Sequence, residues 1–302
     1  MPGKRFFQIH FGAEYHTGKY GWTLNLEEIK RSVDWQLNQL RTDYIDFGFL
    51  HCIDEEEDLE KAIGQGTISY LLDLKKKGVV RHIGMSSHTP GVVQKVLDEN
   101  ILDMLMFSIN PAYDYRHGEY AIGSVDERMD LYKRCEAEGV GISVMKAFGA
   151  GQLLDASTSP FGRALTEYQC IQYALGKPGV VTVLPGVRNR EDLKRLLGFF
   201  SATPEEKDYS ILATSAPQDA RGICVYCNHC QPCPAGLDVG LINKYYDLAQ
   251  AGDALAKDHY ANLTKKASDC IGCGHCNKRC PFSVDQVKRM REIAEYFSDS
   301  AV

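Results

Sequence analysis

The 302-residue sequence lacks the features that mark exported, membrane-bound and nucleic-acid-binding proteins. No apolar run approaches the ~18–20 residues that a membrane span needs. Residues 1–12 (MPGKRFFQIHFG) have neither the long apolar region nor the small-residue cleavage site of a signal peptide. The net charge of −6 gives no reason to expect the basic surface that nucleic acids require. We therefore expect a cytoplasmic protein that binds neither membrane nor nucleic acid.

Cysteine, in contrast, is abundant and concentrated, because eight of the 11 cysteines lie between residues 224 and 280. They form the runs C-x2-C-x2-C-x2-C-P and C-x2-C-x2-C-x3-C-P, and the second is the pattern of bacterial ferredoxins. In the ferredoxin arrangement, three cysteines of one run and the last cysteine of the other run hold each [4Fe–4S] cluster. This arrangement assigns one cluster to Cys224, Cys227, Cys230 and Cys280, and a second to Cys270, Cys273, Cys276 and Cys233.

Two other cysteine chemistries compete with this interpretation. A disulfide framework requires an oxidising compartment, and the N-terminal residues show no export signal. Zinc also binds C-x2-C pairs, but it usually takes two pairs separated by a long loop. The short, repeated spacing followed by proline therefore favours iron–sulfur clusters. An assay that found zinc and no iron would contradict this prediction.

The first 200 residues alternate between short apolar strands and amphipathic helices. Predicted strands begin near residues 6, 43, 80, 103, 140 and 180, and a helix follows each one, as at 26–40. A second long helix is predicted over 56–77, and the fourth strand is predicted over 103–113. This alternation predicts an α/β fold whose parallel sheet is covered by helices. Either a TIM-type (β/α) barrel or an open doubly wound sheet fits, although no glycine-rich phosphate turn follows the first strand.

The composition along the chain predicts three segments. A barrel-like domain spans residues 1–202, and a linker spans 203–222. A small α-helical, ferredoxin-like iron–sulfur domain spans 223–302 and contains both cysteine runs. Helices are expected over 237–251, between the two runs, and over 284–297, where the terminal helix is expected to pack against the clusters.

Three motifs resemble the aldo/keto reductase superfamily: DYIDFGFLH (43–51), VRHIGMSSH (80–88) and VVTVLPGV (180–187). With the cysteine runs, the chain is similar to the branch whose barrel is fused to a 4Fe–4S ferredoxin-type domain. The resemblance covers nearly the whole chain and implies a TIM-type barrel, in which the six units correspond to strands three to eight. The first two units of the family have no counterpart, so the resemblance implies an incomplete barrel of six β/α units.

The resemblance also implies a chemistry, in which NADP or NAD reduces a small carbonyl compound or oxidises an alcohol. The family uses an aspartate, a tyrosine, a lysine and a histidine at the C-terminal ends of strands. The histidine corresponds to His51, which we predict to orient the substrate. The lysine position holds His10 or Phe11, and His10 is predicted to act as a neighbouring base or donor. The aspartate and the tyrosine belong to the two absent units.

Six residues stand where the family contacts its nucleotide: Ser86, Ser87, Met145, Gly186, Arg188 and Asn189. The two serines replace a Ser-Asn pair at the nicotinamide amide, and the methionine lies near the residue that packs on the nicotinamide ring. The last three residues begin a helix, and a helix N-terminus with a flanking arginine could hold a 2′-phosphate.

These observations predict an iron–sulfur oxidoreductase that passes electrons through two [4Fe–4S] clusters. Coupling a two-electron hydride site to one-electron clusters calls for a flavin or a redox protein as partner, and the alternative is that the clusters are structural. The alternative is an electron carrier or docking protein whose barrel has lost catalysis, because the tyrosine and lysine are missing. A third hypothesis is a truncated gene product, testable in the DNA upstream of Met1. Without such an extension, a homodimer would bury the open sheet edges.

Overall fold

The structure, a computed structural model, describes residues 6–118, 120–215, 221–228, 230–280 and 282–298. The chain forms two compact units: Met1–Ser108 with Val140–Ser143, and Ile109–Gly139 with Val144–Val302. These units have different bounds from the predicted segments 1–202, 203–222 and 223–302, which stay predictions. Residues 216–220 of the predicted linker and Pro281 of the second cysteine run lie outside the described residues.

The described strands are β1 (Gln8–Phe11), β2 (Ala13–Glu14), β3 (Gly21–Trp22), β4 (Ile45–Leu50), β5 (Val80–Ser87), β6 (Met104–Ser108), β7 (Gly141–Met145) and β8 (Val180–Val183). Six of them form one sheet in the order β1-β4-β5-β6-β7-β8, and β2 and β3 form an antiparallel hairpin. Parallel ladders join β1 to β4, β4 to β5, and β5 to β6. The sheet strands are the six that the sequence predicts, in chain order.

The described helices are α1 (Leu26–Leu40), α2 (Glu56–Gly64), α3 (Thr67–Lys76), α4 (Pro90–Leu97), α5 (Pro111–Asp114), α6 (Val125–Ala137), α7 (Glu167–Leu175), α8 (Arg190–Leu197), α9 (Pro204–Lys207), α10 (Val239–Gln250), α11 (Ala254–Ala261), α12 (His275–Arg279) and α13 (Gln286–Ser298). Within the described ranges, none of them combines the length and the apolar content that crossing a bilayer requires.

In two places a predicted element is divided or ends early. The helix expected over 56–77 is divided into α2 and α3, because Gly66 adopts a left-handed φ of 82° that only glycine adopts without strain. The strand expected over 103–113 ends at Ser108. The side chain of Asn110 caps α5 by accepting from Tyr113 N over 3.0 Å, and Pro111 occupies the first helical turn.

The core of the first unit explains why a glycine lies inside β5. A Cβ atom at Gly84 would come within 2.7 Å of Phe49 Cε1, closer than real carbon contacts allow. The ring of Phe49 therefore covers Gly84 and is itself fully buried. The imidazole of His10 stacks on Phe49 at a centroid distance of 5.3 Å, so this packing also fixes a histidine.

The cysteine-rich part of the second unit has its own apolar core. It includes Ile242 of α10 and Met290 and Ile293 of α13, all almost fully buried. Tyr260 and Phe297 stack with their ring centroids 3.7 Å apart. Truncating a core residue such as Ile293 to alanine would cost about 2–5 kcal/mol. Cys230 and Cys276 are part of the same apolar core, so this core holds one cysteine of each run in place.

Candidate active site and iron–sulfur sites

Two histidines meet at the carboxyl ends of neighbouring strands in the first unit. His10 lies on β1 opposite Phe49 of β4, and His51 directly follows β4. His51 N donates to Phe11 O over 3.0 Å, which extends the ladder by one residue. Because the strands are parallel, their carboxyl ends share one edge of the sheet. Active sites of β/α barrels lie at that edge.

The two histidines belong to a hydrogen-bonded chain of four side chains. Gln8 Nε2 lies 2.9 Å from His10 Nε2, the Nδ1 atoms of His10 and His51 are 2.9 Å apart, and Tyr20 Oη lies 3.0 Å from His51 Nε2. An amide nitrogen can only donate, so His10 Nε2 accepts and its Nδ1 carries the proton. His10 then donates to His51, and His51 Nε2 donates to Tyr20. This polarity leaves the hydroxyl proton of Tyr20 for another acceptor.

Burial keeps the members of this chain uncharged. It lowers the pKa of His10 to about 3, with a further decrease from the charge of His51. It lowers the pKa of His51 to about 4, against the opposing effect of the Asp54 carboxylate. The pKa of Tyr20 is raised, chiefly by desolvation, so the phenol keeps its proton. Tyr20 still exposes 60% of its surface, which leaves the hydroxyl accessible to a substrate.

The β2–β3 hairpin positions Tyr20. Ala13 pairs with Trp22, and Thr23 N donates to Gly12 O over 2.9 Å, which closes the hairpin beside β1. Trp22 Nε1 donates to His51 O over 3.2 Å and anchors the hairpin to the strand end. Sequence reasoning missed Tyr20. The available signal was the aromatic segment YHTGKYGW, directly after the strand that carries His10.

Ser86 and Ser87, predicted to contact a nicotinamide amide, make hydrogen bonds inside the first unit. Ser86 Oγ accepts from Cys52 N over 2.8 Å and lies 3.4 Å from His51 Nδ1. Ser87 Oγ donates to Asp54 Oδ1 over 3.1 Å. Both serines are buried. Ser86 therefore connects to the histidine chain, and nucleotide contact by either serine stays a prediction.

Asp54 organises the loop after β5. Its carboxylate accepts from His88 N over 2.6 Å and lies 2.9 Å from His88 Nδ1. Burial alone would raise the pKa of Asp54, but hydrogen bonds from His88 and Ser87 outweigh it and lower the pKa to about 2. Cys52, Asp54 and His88 have ligand-type atoms within 4.8 Å of one another. Because Cys52 Sγ also donates to this carboxylate, the group is hydrogen-bonded throughout, and we interpret it as a brace.

The other predicted nucleotide residues belong to the second unit. Asn189 caps α8 by accepting from the backbone nitrogens of Glu191 and Asp192. Arg188 Nε pairs with Asp192 over 3.0 Å, although 84% of the arginine side chain is exposed. A Cβ atom at Gly186 would meet nothing within 4 Å, so the surface there is open. Met145 ends β7 and is half-buried. Arg188 is the member of this group with a charge exposed to an approaching anion.

The eight cysteines of the two runs line two cavities in the second unit, four in each. The first cavity is lined by Cys224, Cys227, Cys230 and Cys280, with apolar neighbours that include Val225 and Phe282. The second is lined by Cys233, Cys270, Cys273 and Cys276, with apolar neighbours that include Leu237, Ile271 and Met290. The last cysteine of each run lies in the cavity of the other run. This grouping matches the ferredoxin spacing, and iron ligation by these atoms stays a prediction.

The chemistry of the first cavity fits an iron–sulfur cluster. Burial raises the pKa of Cys224 to about 12 and also raises the pKa of Cys230. These sulfurs therefore become thiolates only beside a cation such as iron. Gln286 Nε2 donates to Cys224 Sγ over 3.8 Å, the kind of N–H···S contact that cluster proteins use. Soft sulfur ligands in an apolar cavity suit an iron–sulfur cluster.

The second cavity is nearer to the surface. Cys273 is exposed, and Ile271 beside it exposes 67% of its surface. Cys276 on the inner side is buried, and desolvation raises the pKa of its thiol. The same four-sulfur arrangement therefore has an inner wall and a wall that faces solvent. A cluster in this position would be accessible to a partner.

The structure combines a parallel sheet of β/α units, a histidine chain at the carboxyl edge of that sheet, and two four-cysteine cavities. These features define a β/α oxidoreductase with an iron–sulfur domain. The model for the aldo/keto reductase family matches residues 16–167, and the model for a 4Fe-4S dicluster domain matches residues 223–285. The chain belongs to the aldo/keto reductase family and carries a C-terminal 4Fe–4S dicluster domain.

Known proteins resemble the chain over about two thirds of its length. The uncharacterized oxidoreductase YqkF of Bacillus subtilis (strain 168) is 27% identical over 231 residues, which cover 69% of this chain and 72% of that protein. The L-galactose dehydrogenase of Arabidopsis thaliana is 25% identical over 201 residues, which cover 63% of this chain and 59% of that protein. Among solved structures, the holo form of aldo-keto reductase AKR11C1 from Bacillus halodurans matches with a TM-score of 0.52 and 22% identity, over 67% of this chain and 70% of that one. That structural likeness concerns the fold alone.

These matches decide between the two sheet architectures left open by the sequence. The predicted fold class is confirmed: an incomplete TIM-type barrel with six β/α units, joined to a helical iron–sulfur domain. The predicted family is confirmed as well, and the protein is an oxidoreductase of the aldo/keto reductase type. Iron–sulfur binding follows from the dicluster domain.

Proposed function

We propose that the chain is an NAD(P)-linked enzyme that reduces a small carbonyl compound and exchanges electrons through two [4Fe–4S] clusters. The observation that carries this proposal is the Gln8–His10–His51–Tyr20 chain of hydrogen bonds at the carboxyl ends of β1 and β4. Tyr20 takes the role of the tyrosine that the resemblance assigns to an absent unit. His51 keeps its predicted role, and His10 acts through His51.

The donor-to-acceptor direction of these hydrogen bonds suits proton donation from Tyr20 to a carbonyl oxygen. Tyr20 donates its hydroxyl proton, and His51 Nε2–H, which already donates to Tyr20 Oη, stabilises the phenolate that remains. The neutral His10 donates to His51 Nδ1 and so fixes the tautomer that donation to Tyr20 requires. A nicotinamide cofactor, when bound, supplies the hydride that completes the reduction.

Replacing Tyr20 by phenylalanine tests this proposal. Tyr20→Phe keeps the ring and removes the donor, so kcat/KM for carbonyl reduction should fall by about 10²-fold or more. Tyr15 is the matched control, because it lies in the same hairpin, exposes 43% of its surface and has its ring 5.9 Å from Tyr20. Steady-state rates with NADPH and NADH on small aldehydes and ketones provide the measurement. If Tyr20→Phe and Tyr15→Phe were equally active, Tyr20 would have no part in the reaction.

The exposed guanidinium of Arg188 at the start of α8 supports a preference for NADP over NAD as the cofactor. Arg188→Ala should raise the KM for NADPH and leave the KM for NADH unchanged. The proposed contacts of Ser86 and Ser87 have weaker support, because both hydroxyls already have partners inside the first unit. A nicotinamide amide at this point would have to displace or share those hydrogen bonds.

Electron exchange through the clusters requires partners, and we propose a flavin or a redox protein that accepts electrons singly. The free cysteines of the chain fit a reducing cytoplasm. For the case that no further β/α units precede the given sequence, we also propose a homodimer formed across β1 and β8, which end the strand order of the sheet. Light scattering of the purified full chain tests the dimer, and a monomer at micromolar concentration would contradict it.

A second candidate function is supported by the partners of Ser86 and Ser87. If these serines cannot serve a nucleotide, the chain acts as an electron carrier or docking protein whose barrel is inactive. Calorimetric titration of the iron-loaded chain with NADPH and NADH discriminates between the two candidates. Binding favours the reductase, and full iron content without nucleotide binding favours the carrier.

A further inference from the structure

A lysine is buried in the second unit, directly behind the first cysteine run. Lys177 lies just beyond the end of α7, and only 1% of its surface is exposed. Its Nζ donates to Val225 O over 3.3 Å and lies 3.9 Å from the ring centroid of Tyr173. Val225 directly follows Cys224 in the chain and lines the first cavity. The ammonium group is therefore held against the backbone of the loop that carries Cys224 and Cys227.

The neighbouring carboxylate, Asp114, forms its ion pair with a different cation. Asp114 Oδ1 pairs with Arg128 Nε over 2.8 Å, and both side chains are buried. The same carboxylate accepts from Tyr132 Oη over 2.7 Å and from Tyr173 Oη over 2.8 Å. Asp114 and Arg128 therefore have no net charge as a pair. Among the described residues, no carboxylate lies within ion-pair distance of Lys177 Nζ.

A buried lysine without an anion is costly, since moving a cation out of water requires a compensating charge. Burial lowers the pKa of Lys177, while negative charge on Asp114, Cys227 or Cys224 opposes this effect. Val225, whose carbonyl oxygen accepts from the ammonium, lies between Cys224 and Cys227 in the sequence. An anionic cluster in the first cavity, which Val225 lines, would add a negative charge close to this ammonium.

We propose that Lys177 is the counter-charge of the first [4Fe–4S] cluster and raises its reduction potential. This inference rests on the cluster assignment in the proposed function. One-electron reduction adds a negative charge to the cluster, and a cation in a weakly screening interior stabilises the reduced state more than the oxidised state. Neither cavity has a lysine or an arginine among its described lining residues, but Lys177 contacts the wall of the first cavity through the carbonyl oxygen of Val225. We therefore expect Lys177 to act on the potential of the first cluster.

The test is a reduction-potential titration, monitored by electron paramagnetic resonance, of the full chain loaded with iron and sulfide under anaerobic conditions. Lys177→Met keeps the apolar stem and removes the charge, and Lys177→Gln keeps a donor without a charge. Both should shift the midpoint potential of the first cluster to more negative values and leave that of the second unchanged. Lys177→Arg should restore the potential towards the wild-type value. The signals are assigned with Cys224→Ser and Cys273→Ser.

Lys194 provides the matched control, because its side chain is 71% exposed and pairs with Glu191 on α8. Lys194→Met should leave both potentials unchanged. Equal potentials in wild type, Lys177→Met and Lys177→Gln, with full iron content, would overturn the proposal and leave the cluster assignment intact. A wild-type chain without iron would overturn the cluster assignment and this inference with it. If Lys177→Met lost its iron while Lys177→Gln kept both iron and potential, Lys177 would be only a structural donor to Val225.

Discussion

The histidine chain of the first unit and the cysteine cavities of the second are built by different physical means. The histidine chain joins Gln8, His10, Tyr20 and His51 through hydrogen bonds of 2.9–3.0 Å, and burial keeps its imidazoles neutral. The cavities are lined by eight sulfurs from a segment of 57 residues, and these sulfurs carry charge when metal is bound. One region is suited to moving a proton, and the other to holding electrons.

Because of this difference, the two regions depend on the rest of the fold to different degrees. The cysteine sites depend on the short spacing within two loops, so a single missing ligand should remove one cluster. The histidine chain depends on two strands and a hairpin that meet only in the folded protein. Its members should therefore respond to pH and to changes in neighbouring hydrogen bonds.

The largest expected effect is the loss of a cluster after a ligand substitution. Cys280→Ser should empty the first cavity and Cys233→Ser the second, so each variant should bind half of the wild-type iron. The electron paramagnetic resonance signal of the remaining cluster should differ between the two variants. Iron and sulfide analysis with paramagnetic resonance measures both quantities.

Cys170 is the control for these substitutions, because it is buried in α7 and lies outside both runs. Cys170→Ala should retain all of the iron. If Cys280→Ser removed the same signal as Cys273→Ser, each run would hold its own cluster. The exchange of the last cysteines between runs would then be wrong.

Acid should weaken the first unit through its buried histidines. Their folded pKa values of about 3 and about 4 lie below the unfolded value of 6.5. Their contribution to stability is therefore complete above pH 6.5 and is lost as the pH falls towards these folded values. The free energy of unfolding should decrease by about 1.4 kcal/mol per pH unit for each histidine in this window.

Comparison of His10→Gln with wild type isolates this effect from the acid sensitivity of the clusters. The variant should lose less stability than wild type between about pH 7 and about pH 5, by up to about 2 kcal/mol in urea unfolding. His259, an exposed histidine on α11, is the control, and His259→Gln should behave as wild type. Identical pH dependence in all three proteins would show that His10 is not buried in its neutral form.

How much the sequence predicts also differs between the two regions. The grouping of the cysteines could be read from spacing, because three cysteines of each set lie in one short loop and the fourth is the last cysteine of the other run. The sheet strands could be read from apolar runs such as MLMF of β6, since strands buried on both faces are continuously apolar. His10 and His51 could be placed near the C-terminal ends of strands, because each follows an apolar run that predicts a strand.

The rest could not be predicted, because it depends on contacts between segments far apart in the chain. Tyr20 reaches His51 only after a hairpin with two residues in each strand folds back, and strands this short show no periodicity. The engagement of Ser87 by Asp54 joins residues 33 positions apart. The break at Gly66 is different, because a glycine within a predicted helix was already a local signal.

A smaller effect is expected at the brace behind the histidine chain. Asp54→Asn replaces the carboxylate that accepts hydrogen bonds from His88 and Ser87. The new amide group points its hydrogens at one of these donors. The variant should lose about 1–3 kcal/mol of stability. Asp73→Asn is the control, because Asp73 makes an exposed pair with Lys77 and should contribute about 0.5 kcal/mol or less. Equal losses in the two variants, measured by urea unfolding, would exclude a bracing role for Asp54.

The smallest effect is expected at the first cluster, from a neutral donor. Gln286 is buried and donates to Cys224 Sγ over 3.8 Å, while its Oε1 accepts from Asn243 Nδ2 over 2.9 Å. Gln286→Leu should shift the midpoint potential of the first cluster to more negative values, because an N–H···S contact stabilises the reduced state. The shift should be smaller than that of Lys177→Met, since a dipole stabilises an added charge less than a full cation does. Gln250→Leu, at an exposed site on α10, should change neither potential, and an equal response to both glutamine substitutions would exclude Gln286 as a determinant of the potential.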